Sequence, residues 1–153
     1  MSHDDVHAIR LNSSLDHVGV ARDFVAEIAK AVPMTAREVY DLELVVDEAV
    51  TNVIEHGYAG RDDASVEIAV ALDDGHFTIL ITHDGLAFDP ASHPDVDLKA
   101  YITERRVGGL GLFLMKKLLD EVEYSTAADG RRQIRMMKKR QTNPLAPDDG
   151  RPS

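Results

Sequence analysis

Apolar residues recur at intervals of three and four in three stretches of the chain, a pattern that predicts three amphipathic helices. The stretches span residues 15–32, 35–56 and 109–120. The second stretch is the most regular. Its apolar stripe consists of Leu42, Val46, Ala49, Val50 and Val53. Each helix is therefore expected to pack one face against a core and to present the other face elsewhere.

Capping residues mark both ends of the second predicted helix. Thr35 and Glu38 have the spacing at which each side chain accepts a hydrogen bond from the other residue's backbone N–H. Gly57 follows the last predicted helical residue, His56, and glycine takes the left-handed conformation that ends many helices. We therefore predict a continuous helix between these points.

Alternation of apolar and polar residues predicts strands on either side of these helices. Asp73, Asp74 and Gly75 separate two alternating runs and are typical of a hairpin turn. The predicted strands span residues 6–11, 65–72, 76–82, 122–126 and 132–138.

Composition and charge narrow the class of protein. The 153 residues suffice for one domain, and 17 basic against 27 acidic residues give a formal net charge of −10, which disfavours direct binding to nucleic acid. The chain has no Cys, and its apolar runs are far shorter than the roughly 18 residues of a membrane span. We therefore expect a cytoplasmic protein that does not bind a membrane.

Glu48 and Asn52 are four residues apart in the second predicted helix, so their side chains share one face. A carboxylate and a carboxamide placed in this way can face a metal ion and the phosphates that it carries. A solvated helix face explains the same pair equally simply. The pair alone leaves both interpretations open.

Two glycine-containing stretches add candidate chemistry. Gly108, Gly109 and Gly111 lie at the start of the third predicted helix, where free backbone N–H groups can bind phosphate, although a flexible hinge fits as well. Asp84 and Gly85 follow a predicted buried strand, where the carboxylate can accept from a purine amino group, although Asp-Gly is also common in turns.

Together these stretches resemble a known family. EAVTNVIEHGY, GLAFDP and GGLGLFLMKKLLDEVEY are similar to the asparagine box and the two glycine boxes of the anti-sigma-factor serine/threonine kinases, members of the GHKL superfamily that act in bacterial partner switching. The resemblance covers residues from about 10 to 138. It implies a Bergerat-type ATP-binding fold, an α/β (α+β) two-layer sandwich with a mixed, mainly antiparallel sheet and helices on one face.

The resemblance also implies roles for matching positions. Glu48 would be the general base, and Asn52 would hold a Mg²⁺ ion that bridges the ATP phosphates. Asp84 and Gly85 would lie near the adenine, and residues 91–107 would form a lid over the ATP. The residues expected to bind the phosphates are Gly108, Gly109, Leu110, Gly111 and Leu112. Arg105 and Arg106, at the end of the lid, can neutralise charge on the terminal phosphate, although a solvated charge pair explains them equally well.

One position departs from the family pattern. His83 occupies the place of the aspartate that accepts from the adenine amino group. The adjacent Asp84 is a doubtful replacement, since neighbouring side chains on a strand point to opposite faces. A neutral imidazole can accept one hydrogen bond, which predicts weaker and pH-sensitive nucleotide binding.

These observations predict an ATP- and Mg²⁺-dependent kinase domain over residues 1–141, followed by a disordered tail over 142–153. The resemblance implies that it restrains a sigma factor, phosphorylates an anti-anti-sigma protein and forms a homodimer. His83 motivates an alternative, a catalytically silent binding module of the same fold. A sensor histidine kinase fragment is a third interpretation, disfavoured because no helical segment with a phospho-accepting His fits before residue 10.

A basic cluster also stands out in this acidic chain. It is interpreted either as a local patch for an acidic partner or as the solvated face of a strand. The cluster comprises Arg131, Arg132, Arg135, Lys138, Lys139 and Arg140.

Overall fold

A computed structural model describes residues 5–58, 63–84 and 115–140. The predicted lid over 91–107 and the predicted tail over 142–153 lie outside these residues. In the described part of the chain, no helix is long and apolar enough to cross a membrane.

Five strands in the described part of the chain form one sheet, in the order β1-β2-β3-β5-β4. Every described pair of neighbouring strands is antiparallel, whereas a mixed sheet had been expected. All five predicted strands are present, each within a residue of its predicted ends. They are β1 (Asp5–Asn12), β2 (Ser65–Leu72), β3 (His76–His83), β4 (Glu121–Thr126) and β5 (Arg132–Lys139).

The first two predicted helices are present with altered ends. The first starts as a 3₁₀ turn at Leu15–His17 and continues as α1 (Val18–Lys30). The second is α2 (Ala36–Asn52), and the predicted Thr35–Glu38 capping box begins it. Of the third predicted helix, residues 115–118 are helical, and the structure describes nothing of it before 115.

Alternation along the strands decides which face of the sheet is covered. In β2 and β3 every second residue is buried, and these residues share one core with the apolar stripes of α1 and α2. The helices therefore cover one face of the sheet, as predicted. This face is called the helix-facing surface below.

Candidate functional site

Helix α2 carries the predicted Glu48 and Asn52 near its carboxyl end. The predicted apolar stripe is buried in the core, which fixes the rotation of the helix about its axis. Glu48 is half-buried on the adjoining face, whereas the Asn52 side chain lies in a buried position, 6% exposed. A buried amide normally has hydrogen-bond partners, so the position of this side chain is well fixed at the end of α2.

The end of α2 differs from the prediction of one continuous α-helix. Residues Val53–Gly57 form a π-helical turn, in which the Tyr58 N–H donates to the Val53 carbonyl at 2.9 Å. The wider turn rotates the residues that follow it relative to an α-helix. Such turns are rare and are often found at functional sites, and the apolar pattern of the sequence gives no sign of this one.

Tyr58 connects the end of this helix to two strands. Its hydroxyl donates to the Ser65 carbonyl at 2.6 Å and accepts from the Asp84 N–H at 2.8 Å. Its ring meets the His83 ring edge to face, with centroids 5.9 Å apart. Tyr58 is therefore the residue that holds the end of β3 beside the end of α2. Periodicity and spacing do not point to Tyr58; the available signal was an aromatic residue directly after the predicted helix stop.

His83 continues the buried positions of β3 onto the helix-facing surface and is 4% exposed. Burial is the main cause that lowers the pKa of its imidazole to about 4; the positive charges of Arg132 and Arg131 contribute to the same shift, and the nearby Asp84 opposes it. The ring is therefore neutral at pH 7. Any effect of pH on nucleotide binding through His83 is therefore expected near pH 4 and not near neutral pH.

Asp84 has the opposite environment, although it is the next residue. Its side chain is 68% exposed, and one carboxylate oxygen lies 3.5 Å from Nε of Arg131. The strand alternation thus separates Asp84 from His83, which agrees with the doubt about a simple replacement. Asp84 contributes its backbone N–H to Tyr58 and its charge to Arg131.

Arg132 lies beside His83 on the neighbouring strand. The two residues are register partners in the β3–β5 pair, so both side chains are on the helix-facing surface. Nη1 of Arg132 lies 3.4 Å from the Thr126 hydroxyl, and its Nε is buried without a hydrogen-bond partner in the described part of the protein. From the sequence, Arg132 stands out only as one member of the basic cluster.

The remaining predicted positions are not described by the structure. They are Gly85, Arg105, Arg106, Gly108, Gly109, Leu110, Gly111 and Leu112.

Among the described residues, no group of three or more His, Cys, Asp or Glu side chains is arranged so that it could hold a metal ion. The amide of Asn52 nevertheless suits Mg²⁺, which commonly takes one or two protein oxygens together with phosphate oxygens.

Comparisons with known proteins identify the family. Residues 11–138 match the histidine kinase-like ATPase domain. The chain is 32% identical over 126 residues to the serine-protein kinase RsbW of Bacillus pumilus, covering 78% of this chain and 77% of the relative. It is 29% identical over 123 residues to RsbW of Bacillus subtilis, covering 77% and 76%. The chain therefore belongs to the histidine kinase-like ATPase family and, within it, to the RsbW serine-protein kinases.

Two solved structures share the fold. One contains the RsbU and RsbW domains of Rv1364c from Mycobacterium tuberculosis, with a TM-score of 0.61, 18% identity and coverage of 93% of this chain and 35% of that chain. The other is the SiaB–SiaC complex from Pseudomonas aeruginosa, with a TM-score of 0.62, 17% identity and coverage of 86% and 88%. The predicted family and the predicted sandwich are both confirmed.

Proposed function

We propose that the chain is an ATP- and Mg²⁺-dependent protein serine/threonine kinase that acts as an anti-sigma factor in the cytoplasm. The observation that supports this most directly is the placement of Glu48 and Asn52. They lie at the end of α2, and Tyr58 connects that end of the helix to His83 and Asp84. In a chain of the RsbW family, this arrangement supports a nucleotide site between the carboxyl end of α2 and the end of β3.

Asn52 is assigned to the metal. Its oxygen is a hard ligand, and its burial holds the amide in a fixed position. A Mg²⁺ ion held there would neutralise charge on the ATP phosphates. Asn52 would thus orient the terminal phosphate toward the residue one helical turn earlier, Glu48.

Glu48 is assigned to the protein substrate. Its carboxylate accepts the proton of a serine or threonine hydroxyl, the hydroxyl oxygen forms the new bond to the terminal phosphorus, and the bond to ADP breaks. Phosphoryl transfer needs positioning and charge stabilisation more than covalent chemistry from the protein. A half-buried carboxylate on a rigid helix is suited to orient the hydroxyl.

The nucleobase is assigned to the end of β3, at His83, with Gly85 beside it. The lid over 91–107 and the glycine segment with Gly108 to Leu112 are assigned to the phosphates, with Arg105 and Arg106 at the terminal phosphate. All of these assignments rest on the family resemblance; of the residues concerned, the structure describes only His83.

The proposed partners are a sigma factor, which the protein would hold, and an anti-anti-sigma protein, which it would phosphorylate. The fold shared with the SiaB–SiaC complex supports a protein-binding role only in general terms, since the identity is 17%. A homodimer is part of the proposal on family grounds.

The test is transfer of labelled phosphate from ATP to an anti-anti-sigma protein from the same organism. Glu48→Ala is expected to slow transfer by about 10²- to 10⁴-fold, the usual contribution of a general base, without weakening ATP binding. Glu43→Ala is the matched control, because Glu43 is a half-buried glutamate of the same helix that is not assigned to the site. Undiminished transfer by Glu48→Ala would contradict the assigned role.

A second candidate function is a catalytically silent binding module, favoured by the neutral, buried His83 in place of an aspartate. It predicts tight binding of a protein partner and no labelled product with the wild-type chain. The same assay therefore separates the two candidates.

A further inference from the structure

The end of the sheet that holds His83 contains hydrogen-bond donors where a carboxylate would be expected. Asp84, the next residue along the chain, is exposed and paired with Arg131. Arg132, in contrast, lies beside His83 on the helix-facing surface, and its Nε–H is buried without an acceptor among the described residues.

A buried donor without a partner is costly, especially on a charged group, so it marks a place where a ligand atom can repay the cost. Arginine donates only; it cannot accept a hydrogen bond. The ligand atom that Arg132 can bind is therefore an acceptor, such as a carbonyl oxygen or an unprotonated ring nitrogen.

Purine bases differ in this respect. Adenine presents an amino group at position 6, and a carboxylate can accept a hydrogen bond from it. Guanine and hypoxanthine present a carbonyl oxygen there, and an arginine can donate a hydrogen bond to it. A carboxylate in this place would select adenine. An arginine that meets the base at position 6 favours the 6-oxo bases, because the adenine amino group there only donates.

The geometry points to Arg132 as a specificity-determining residue through which the site accepts 6-oxopurine nucleotides such as GTP. This inference rests on the proposed function, because it takes the nucleobase to lie at the end of β3. His83 adds no competing charge, since its ring is neutral at pH 7. The charged groups around the base would then be Arg132, Arg131 and the exposed Asp84.

The experiment is a calorimetric titration of the full chain with ATP, GTP and ITP, each with Mg²⁺. We expect GTP and ITP to bind at least as tightly as ATP. ITP is included because it has the 6-oxo group without the 2-amino group of guanine. Equal behaviour of ITP and GTP would show that the carbonyl is the recognised group.

Arg132→Leu removes the donors and keeps an apolar stem. It is expected to weaken GTP and ITP about tenfold relative to ATP, the equivalent of one charged hydrogen bond. Arg132→Lys, which retains a charged donor, is expected to restore part of the preference and gives a second test if the leucine variant does not fold.

Arg135→Leu is the matched control. Arg135 is on the same strand but three residues further along, so it lies on the opposite face of the sheet, where it pairs with Glu121 at 2.8 Å. Its substitution should leave the ratio of GTP to ATP affinity unchanged.

Two results would overturn the inference in different ways. A wild-type chain that binds ATP but rejects GTP and ITP, with the same ratio in Arg132→Leu, would refute the role of Arg132 and leave the proposed kinase intact. A chain that binds none of the three nucleotides would refute both.

Discussion

The two ends of the helix-facing surface have equal burial but different chemistry. At the end near the Asp73–Gly75 hairpin, β3 contributes Phe77, and the next positions, Ile79 and Ile81, are also 0% exposed. At the other end the same strand contributes His83, only 4% exposed, beside Arg132. Burying a polar ring where an apolar one would fit lowers stability. The first end is therefore a scaffold, and the second retains polar groups for binding.

The largest expected effect is on the stability of the apolar part of β3. Ile81→Ala is expected to lower the free energy of unfolding by about 2–5 kcal/mol, because it leaves a cavity in the core. His83→Leu is expected to cost less, since the leucine avoids the desolvation of an imidazole. Urea denaturation of both variants at pH 7 measures the difference. A larger loss for His83→Leu than for Ile81→Ala would show that His83 is structural.

A smaller effect is expected from pH at the polar end. The pKa of His83 is about 4 in the folded chain and near 6.5 when unfolded, so the unfolded state binds more protons between these values. The contribution of neutral His83 to the free energy of unfolding is present above pH 6.5 and is lost as the pH falls toward 4. The expected loss between pH 7 and pH 5 is about 2 kcal/mol.

His83→Gln is the control for the pH dependence, because glutamine does not titrate. Relative to this variant, the wild type should therefore lose that amount of unfolding free energy from pH 7 to pH 5. A difference that stays constant over this range would contradict a neutral, desolvated His83.

The smallest expected effect is on metal-dependent binding. Asn52→Ala is expected to weaken ATP binding in the presence of Mg²⁺ by about tenfold, or 1.4 kcal/mol, and to change binding without Mg²⁺ little. Thr51→Ala, at the half-buried preceding position, is the control. Calorimetry with and without Mg²⁺ measures both. An equal response to Mg²⁺ in Asn52→Ala and wild type would count against Asn52 as the ligand.

The sequence predicted the scaffold better than the site, for a physical reason. Periodicity reports burial, and burial alone determines the stripe of α2 and the alternation of β2 and β3. The Thr35–Glu38 capping box is equally local, since its two hydrogen bonds, of 3.0 and 2.8 Å, join residues three apart.

The contacts of the polar end are not local. Tyr58 and Asp84 are 26 residues apart, and the pairing of His83 with Arg132 depends on the order of strands in the sheet. Neither contact can be predicted from the spacing of residues along the chain. The π-helical turn at Val53–Gly57 was also missed, because its residues are ordinary helix formers and their apolar pattern is unchanged. Helical spacing singled out Glu48 and Asn52 and the family resemblance gave them roles, but neither pointed to Tyr58 or to the pairing of Arg132 with His83.

The most direct test of the difference between the two ends is the NMR response of backbone amides to Mg²⁺ and ATP. The account predicts large shifts for the amides of Tyr58, Asp84 and Arg132, and small ones for Gly75 and His76 in the hairpin at the far end. Shifts confined to the hairpin, or none at saturating ATP, would contradict the assignment of the polar end as the nucleotide site.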